Sequence, residues 1–552
     1  MSHQSLHRLL LLLLVLLVLP GAAQDRGFLR TRGHDMVDEN GEKVLLRGVG
    51  LGNWLLPEGY MWKFQENGDR PRKIEKIVSD LIGPAEAAQF WRAFRDNYIT
   101  EADIHRIAEL GFNAVRPALN ARLFLSEGDS AVFVDEGFEL LDRLVAWCKR
   151  HGIYVIIDMH GAPGGQTGAN IDDSPRDEPE LFMDKRNQDR LVALWQKIAA
   201  RYSEEPIIAA YDLLNEPLPH RSGAAARYQD QLEPLYQRIT AAIRAVDRKH
   251  MITLEGVDWS NDWSVFSEPF DDNLFYQFHY YCWDRPDLLK DISYFLDKRN
   301  QFNTPIWVGE TGEKGNTIYW GTTQYFESHN IGWSFWPWKK MDTRNTPYSI
   351  QPPDLWHMVI EYTAGKGKHD LMVMAPVFQE LLENIKLENC TFYPDVVNAI
   401  FRRIPGKVEA ENYGHLGYGQ SYFVHDTTHR SARYRTGEPV PVQLIKNDKK
   451  SRFSEQGIVL KAGEWSSYTI SSMKKQAYAC NIQIKPERAP VRVSIAVGGQ
   501  QWHFAIEDRD WQVVSPGVIG FEAGENQVRI QVELGNALID WLDFAELPQG
   551  LF

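Results

Sequence analysis

Residues 207–217 read IIAAYDLLNEP, and the way this stretch ends decides the fold. Ile207, Ile208, Ala209, Ala210, Leu213 and Leu214 form an apolar run of strand length, too short for a free-standing helix. Asn215 and Glu216 close it. Pro217 then removes a backbone donor and keeps the residue before it extended, so Glu216 is held at the tip of a buried strand. One such tip is more often a solvated or ion-paired residue than a ligand contact. Several converging on one place would mean something different.

Seven further runs share the pattern: KVLLRGVGLGNW (43–54), GFNAVRPAL (111–119), GIYVIIDMHG (152–161), MITLEGVDW (251–259), NLFYQFHYY (273–281), TPIWVGETG (304–312) and IGWSFWPWKK (331–340). Amphipathic stretches such as GFELLDRLVAWCKRH (137–151) and YQRITAAIRAVDRKH (236–250) fall between them. Near-continuous apolar strands alternating with helices indicate a parallel sheet covered on its outside. Eight units in about 300 residues fit a closed (β/α)8 barrel better than an open doubly wound sheet. No GxGxxG follows a strand, which argues against dinucleotide binding.

The expected fold class is α/β: a TIM barrel over residues 24–349, then an all-β jelly-roll sandwich over 405–552. Between them, 350–404 reads as a helical closing segment and linker, with DLWHMVIEYTAG, APVFQELLENIKL and DVVNAIFRR. The sandwich is expected from short runs broken by turn residues: KVEAENYG, GIVLKAGEWSSYTI, VRVSIAVGG, NQVRIQVEL and ALIDWLDFAEL.

A barrel of this type builds its active site at the C-terminal ends of its strands. Read that way, Arg116 ends the second run, His160 the third, and Asn215 with Glu216 the fourth. Asp258 and Trp259 end the fifth, His279 and Tyr281 the sixth, Glu310 the seventh and Trp336 the eighth. Carboxylates, histidines, an arginine, a tyrosine and indoles gathered at one mouth are what a catalytic site requires. Glu216 and Glu310, on the fourth and seventh strands, can approach to about 5–5.5 Å, the separation used for retention in glycoside hydrolysis. One would protonate the leaving oxygen while the other attacks the anomeric carbon. Arg116 and Tyr281 suit an ionised Glu310, Asn215 suits a sugar 2-hydroxyl, and Trp336 offers a floor for a pyranose.

The formal net charge of −14 argues against nucleic acid and against anionic lipid as partners. The 18 tryptophans and 22 tyrosines suit stacking on sugars instead. MSHQSLHRLLLLLLVLLVLPGAAQD has the anatomy of a signal peptide (1–23) cleaved after Ala23, which predicts a secreted or periplasmic protein with no membrane anchor after cleavage. Cys148, Cys282, Cys390 and Cys480 have no metal-ligand spacing and are expected to be mostly buried and free. Nothing in the chain specifies an oligomer.

Taken together, YDLLNEP, PIWVGETG, FHYY, IIDMHGAPGGQ and GWSFWPWK resemble glycoside hydrolase family 5, the cellulase family A barrel, over about residues 40–345. The resemblance implies that Glu216 is the acid/base and Glu310 the nucleophile, with Arg116, His160, Asn215, His279, Tyr281 and Trp336 completing the site. RGVGLGNWLLPEGYMW and HGAPGGQTGANIDDS are most similar to exo-acting β-1,3-glucanases, which implies that Glu58 touches the non-reducing-end sugar. Two departures stand out: Pro117 follows Arg116 directly, and Glu313 lies three residues beyond Glu310. Residues 405–548 resemble family-6 or family-35 carbohydrate-binding modules. That implies a structural calcium near Glu409, Glu411 and Asp543, oxygen ligands of the kind calcium takes. No cofactor is implied for catalysis, and the expected partner is an oligo- or polysaccharide. The competing readings are a carbohydrate-binding surface protein whose barrel is inactive, and a metal-dependent hydrolase using Asp158, His160 and His279. The latter lacks HExxH or similar spacing. Sugar identity and exo or endo attack stay open, because loops 55–75, 162–188 and 283–290 would read them.

Overall fold

The computed structural model describes residues 27–128, 130–283, 288–366, 371–431, 434–448 and 453–548. The signal-peptide reading of residues 1–23 lies outside the described residues. Among them, no helix is long and apolar enough to cross a membrane.

Eight parallel strands close into a barrel: β1 (Arg47–Leu51), β2 (Ala114–Asn120), β3 (Tyr154–Gly161), β4 (Ile208–Asp212), β5 (Met251–Glu255), β6 (Leu274–Tyr280), β7 (Ile306–Gly312) and β8 (Gly332–Trp336). Ser334 beside Gly48 and Phe335 beside Val49 seal β8 to β1. Each of the eight predicted runs contributes one strand. All eight are buried almost throughout on both faces, because the interior is filled on one side and helices cover the other. The direct Arg116-Pro117 step does not disturb the ladder, since Arg116 sits opposite Gly50 and Pro117 opposite Leu51.

The covering helices follow from sequence. Asp135–His151 buries Phe138, Leu141, Leu144, Val145 and Cys148 on one face. Its acids Asp135 and Glu136 lie in the first turn, and Lys149, Arg150 and His151 in the last. Both placements oppose the helix dipole favourably. Gly152 ends the helix at φ 66°, a left-handed position that suits glycine.

Beyond β8, helices Trp356–Thr363, Leu371–Asn384 and Pro394–Ile400 follow. Trp356 stacks on Phe64 with ring centroids 5.6 Å apart, and Phe378 meets Phe90 edge-on at 5.3 Å. This aromatic cluster anchors the loop after β1. Asn53 at φ 67° tightens it: its Oδ1 accepts from the Glu58 backbone N–H at 3.3 Å and from the Trp62 indole at 2.6 Å. Glu58 and Tyr60 are therefore presented by a fixed loop.

The C-terminal part is sheet-rich and has its own core, built from residues such as Val408, Ile458, Tyr468, Ile482, Ile530 and Leu542. Its two longest strands, Gln476–Val497 and Gly524–Glu546, pair along most of their length. The two expected runs NQVRIQVEL and ALIDWLDFAEL are one bent strand, continuous through Gly535 at φ 79°. Arg402, in the closing segment, accepts the Ser471 backbone N–H of this part at 2.8 Å and pairs with Glu327 at 2.6 Å, which also pairs with Arg47 at 2.7 Å. Two cations around one nearly buried carboxylate hold Glu327 well down, at about 2, against the opposing effect of burial. All four cysteines are free, and three of them are buried.

Candidate active site

Glu58, His160, Glu216, Trp259, His279, Tyr281, Glu310 and Trp336, all expected site residues, line one cavity of about 780 Å³ at the C-terminal mouth of the barrel. Arg116 and Asn215 stand behind it, fully buried. The site is thus assembled from every strand of the barrel, and its order reflects one buried cation.

Arg116 donates to four partners: Glu310 Oε1 at 2.7 Å, Asp212 Oδ2 at 2.8 Å, Asn215 Oδ1 at 2.8 Å and Glu255 Oε1 at 3.0 Å. Asp158 Oδ2 lies 3.2 Å from the same guanidinium. Burial opposes the charge on Arg116, but the surrounding carboxylates outweigh it and raise its pKa well above the ordinary value. Tyr281 donates its hydroxyl to Glu310 Oε2 at 2.8 Å. Both oxygens of Glu310 therefore accept from fixed donors, the arrangement an attacking carboxylate needs to be aimed.

Glu216 sits just past β4 at φ 42°, in the left-handed region and not extended as expected from Pro217, because the hydrogen bond from its backbone to Glu255 overrides that preference. Its Oε1 is 2.6 Å from His279 Nδ1, and its backbone N–H donates to Glu255 Oε2 at 2.7 Å. An oxygen of Glu216, one of Glu310 and a nitrogen of His279 all lie within 4.8 Å of one another. Burial works against a charge on His279, yet Glu255, Glu310 and Glu216 together raise its pKa well above the usual value. His160 behaves oppositely. Burial lowers it to about 4, so it is neutral near pH 7, with Nδ1 2.7 Å from Asp158 Oδ2 and Nε2 3.3 Å from the Asn215 amide.

Trp336 lies parallel to His160, centroids 5.3 Å apart, and donates its indole N–H to the Tyr60 hydroxyl at 3.0 Å. The glycines of RGVGLG make room for it. A Cβ at Gly50 would fall 2.2 Å from the indole and one at Gly52 2.7 Å, so only bare backbone can pass beneath the ring. Glu58 faces the cavity with its Oε1 buried and without a hydrogen-bond partner. Burial first, then the charges of Glu310, Glu313 and Glu216, push its carboxyl well above the usual range. Glu313 is ion-paired to Lys340, whose ammonium sits 5.4 Å from the Tyr60 ring centroid. Glu58 and Tyr60 follow β1 whereas Trp259 and Asn261 follow β5, four strands round an eight-strand ring, so they form opposite walls.

Two further expectations need correcting. The fifth strand ends at Glu255, not at Asp258 and Trp259, which occupy a left-handed turn at φ 54° and 59°. Trp259 lines the cavity, but the carboxylate that enters the buried network is Glu255. In the C-terminal part, Glu409 and Glu411 are accompanied by Asp540 rather than Asp543. Pairing steps from Gln483 beside Trp541 to Ile484 beside Ile539, which leaves Asp540 as the extra residue of a bulge. Such a bulge re-aims one side chain and breaks the alternation that sequence reading relies on. Asp540 is buried and raised to about 7 by burial and by Glu409, while Asp543 is only partly buried and held by Asn481. Glu411 Oε2 is buried without a hydrogen-bond partner. Tyr434 is buried and donates its hydroxyl to Asn412 Oδ1.

Missed by sequence reading were Asp212, Glu255, Tyr60 and Gln166, whose amide donates to the backbone carbonyls of His160 at 2.7 Å and Asn215 at 2.9 Å. The visible signal for Asp212 and Glu255 was an acid inside an apolar strand, in AAYDLL and MITLEG.

Residues 83–342 match the family model described as Cellulase (glycosyl hydrolase family 5). A Phanerodontia chrysosporium protein named beta-xylosidase is 33% identical over 402 residues, covering 65% of this chain and 82% of that protein. A protein of Emericella nidulans named probable glucan 1,3-beta-glucosidase A is 32% identical over 244 residues, covering 44% and 57%. Among solved structures, Thermotoga maritima Cel5A with cellobiose matches at 19% identity and a TM-score of 0.39, covering 58% of this chain and 96% of that one. With the family model lying over the barrel and a relative matched along four-fifths of its length, the chain belongs to glycosyl hydrolase family 5 and is a glycoside hydrolase.

Proposed function

We propose that the protein is a retaining β-glycosidase in which Glu310 is the nucleophile and Glu216 the acid/base. The observation that carries this reading is that one oxygen of each carboxylate lies within 4.8 Å of the other, a spacing that fits carboxyl groups about 5–5.5 Å apart, as retention uses, better than the ~6.5–9.5 Å that leaves room for an inverting water. In the first step a Glu310 oxygen bonds to the anomeric carbon as the glycosidic C–O bond breaks, and Glu216 passes its proton to the departing oxygen. In the second, water attacks the same carbon and gives a proton to Glu216. The ester bond breaks and Glu310 is regenerated.

Asn215, held by Arg116, is read as the partner of the 2-hydroxyl, and Trp336 as the floor for the apolar face of the sugar. The wall of Glu58, Tyr60 and the Glu313–Lys340 pair suits a terminal sugar, so exo action on a β-glucan or related β-glycan is the preferred reading. The names carried by the relatives, glucan 1,3-beta-glucosidase and beta-xylosidase, agree with a neutral β-linked sugar. Export follows from the apolar run near the N-terminus.

The acid role predicts a dependence on leaving group. Glu216→Ala lowers kcat/KM for a phenyl β-glucoside by about 10²–10⁴-fold, the usual contribution of general acid catalysis. For a 2,4-dinitrophenyl glucoside, whose leaving group needs no proton, the loss is much smaller. Equal losses on both substrates would refute the assignment.

Glu409, Glu411 and Asp540 are read as the seat of a structural calcium, on the strength of the unpartnered Glu411 oxygen and three neighbouring carboxylates, with the ion displacing the Lys407 ammonium that pairs with Glu409 at 2.8 Å. Burial and mutual repulsion raise Glu411 and Asp540. Without calcium, stability falls as pH rises from about 4, where the unfolded Asp540 loses its proton, to about 7, where the folded one does. Calcium binds the ionised forms and reverses this. Adding it at pH 8 raises Tm by about 8 °C at a hundredfold excess over Kd, and by less at pH 5. Chelation leaves hydrolysis by the folded barrel unchanged. A Tm indifferent to calcium at both pH values contradicts the site.

A further inference from the structure

Glu255 ends β5 with its carboxylate wholly buried, and neither chemical step uses it directly. Its contacts nevertheless reach Glu216 by two routes. Oε2 accepts the backbone N–H of Glu216 at 2.7 Å. Oε1 accepts from Arg116 at 3.0 Å and lies 3.4 Å from His279 Nε2, while the other nitrogen of that ring is 2.6 Å from Glu216 Oε1. One carboxylate thus grips the main chain of Glu216 and backs the imidazole that touches its side chain. Behind it, the Tyr236 hydroxyl donates to the Glu255 carbonyl at 2.9 Å and pins the end of the strand.

The grip answers a local cost. Glu216 stands at φ 42°, a conformation that disfavours a residue with a Cβ and persists only where the surroundings enforce it. A hydrogen bond from its N–H to an ionised acceptor is roughly twice as strong as a neutral one. Glu255 is the member of the buried acid group suited to that task. The groups facing it are Arg116 from β2, Asp158 from β3, Asp212 from β4, His279 from β6 and Glu310 from β7. Burial pushes Asp158 and Asp212 well above the carboxylate range. Burial also opposes charge on Glu255, but His279 and Arg116 outweigh it and bring its carboxyl below the usual value.

We propose that Glu255 is a positioning residue for proton transfer: by holding the Glu216 backbone and setting its charge behind His279, it fixes the acid/base carboxyl against the leaving oxygen, with little effect on the nucleophile. This rests on Glu216 being the acid/base. The Arg116 and Tyr281 donors to Glu310 remain when Glu255 is changed, so attack on the anomeric carbon should be spared.

The test is a leaving-group comparison on the full chain. Glu255→Gln is expected to lower kcat/KM about 30–100-fold for a phenyl β-glucoside but only ~3-fold for the 2,4-dinitrophenyl glucoside, with KM little changed. Titration with 2,4-dinitrophenyl 2-deoxy-2-fluoro-β-glucoside, which needs the nucleophile and not the acid, should still count about one trapped site per chain. A uniform loss on both substrates overturns the proposal, because a purely structural defect would not distinguish leaving groups. If Glu255→Gln does not fold, Glu255→Asp decides: it keeps the charge but withdraws it from the Glu216 N–H. A loss confined to the phenyl glucoside then supports the proposal, and a uniform loss or none contradicts it. Glu216→Ala, run beside it, separates the two claims. If that variant shows no leaving-group dependence the acid/base reading fails, and if it does while neither Glu255 variant follows, only the role of Glu255 fails.

Discussion

Glu310→Ala is expected to lower kcat by at least about 10⁴-fold, some 5.5 kcal/mol of barrier, on any aryl β-glycoside the enzyme cleaves. The size follows from the loss of a bond-forming atom, not of a supporting contact. Arg116 and Tyr281 still point their donors at the vacated position, which makes a small space with anion-binding character. Azide fits it. Added azide should restore turnover of the dinitrophenyl glycoside and yield a glycosyl azide of inverted configuration. Glu310→Gln is a poorer probe, since its amide N–H2 would be forced against one of two donors. Retention of activity above a hundredth of wild type, or failure of azide to rescue, would count against a covalent role. Glu313 offers a control: paired to Lys340 instead of to Arg116 and Tyr281, it should tolerate Glu313→Gln with a far smaller loss.

Arg116→Met should have the largest effect on stability. The substitution fills the space but leaves Asp158, Asp212, Glu255 and Glu310 buried around a missing cation. Removing one partner of a buried charge network costs about 3–5 kcal/mol, because the remaining charges are left uncompensated. In a barrel of this size that corresponds to a fall in Tm of roughly 10 °C. The sign of the pH dependence is also fixed. Arg116 is the strongest influence lowering Asp158 and Asp212 against their burial, so without it their folded pKa values rise further above the unfolded ones near 4. Stability of the variant is then lost as pH rises from about 4 through those folded values, and part of the deficit is recovered on going from pH 7.5 to 5. Thermal melts of wild type and variant at the two pH values check this. A deficit under 2 °C, or one that grows on acidification, would show that the network is not organised by Arg116.

Much of this architecture was legible because the barrel repeats one simple rule. An apolar run cannot end in Arg116, His160, Asn215-Glu216, His279 or Glu310 without those groups sharing the rim on which all eight runs terminate. Periodicity shows the strands and the direction of the chain shows the rim. Asp158, Asp212 and Glu255 were less legible as a network because they lie within the barrel, where a reading of sequence expects no charge. Only the folded ring brings Arg116 within reach of all three and makes their burial tolerable. The turn at Asp258-Trp259-Ser260, three successive left-handed residues, is equally invisible to propensity. Asp540 was missed for a geometric reason. Alternation along ALIDWLDF places Asp543 with Trp541 and leaves Asp540 pointing inward among apolar residues, until a bulge turns it toward Glu409. Sequence patterns carry the regular ladder, and the exceptions that build a site arise where the ladder is broken.

The chemistry proposed here comes down to a sugar held for a moment on one carboxylate. Incubation with 2,4-dinitrophenyl 2-deoxy-2-fluoro-β-glucoside, followed by mass analysis of proteolytic peptides, reads that bond directly. The expected result is a stoichiometric fluoroglycosyl ester on the peptide containing TPIWVGETG, placed by fragmentation on Glu310. An ester on Glu313 or Glu216, or release of dinitrophenol with no accumulated adduct, would contradict it.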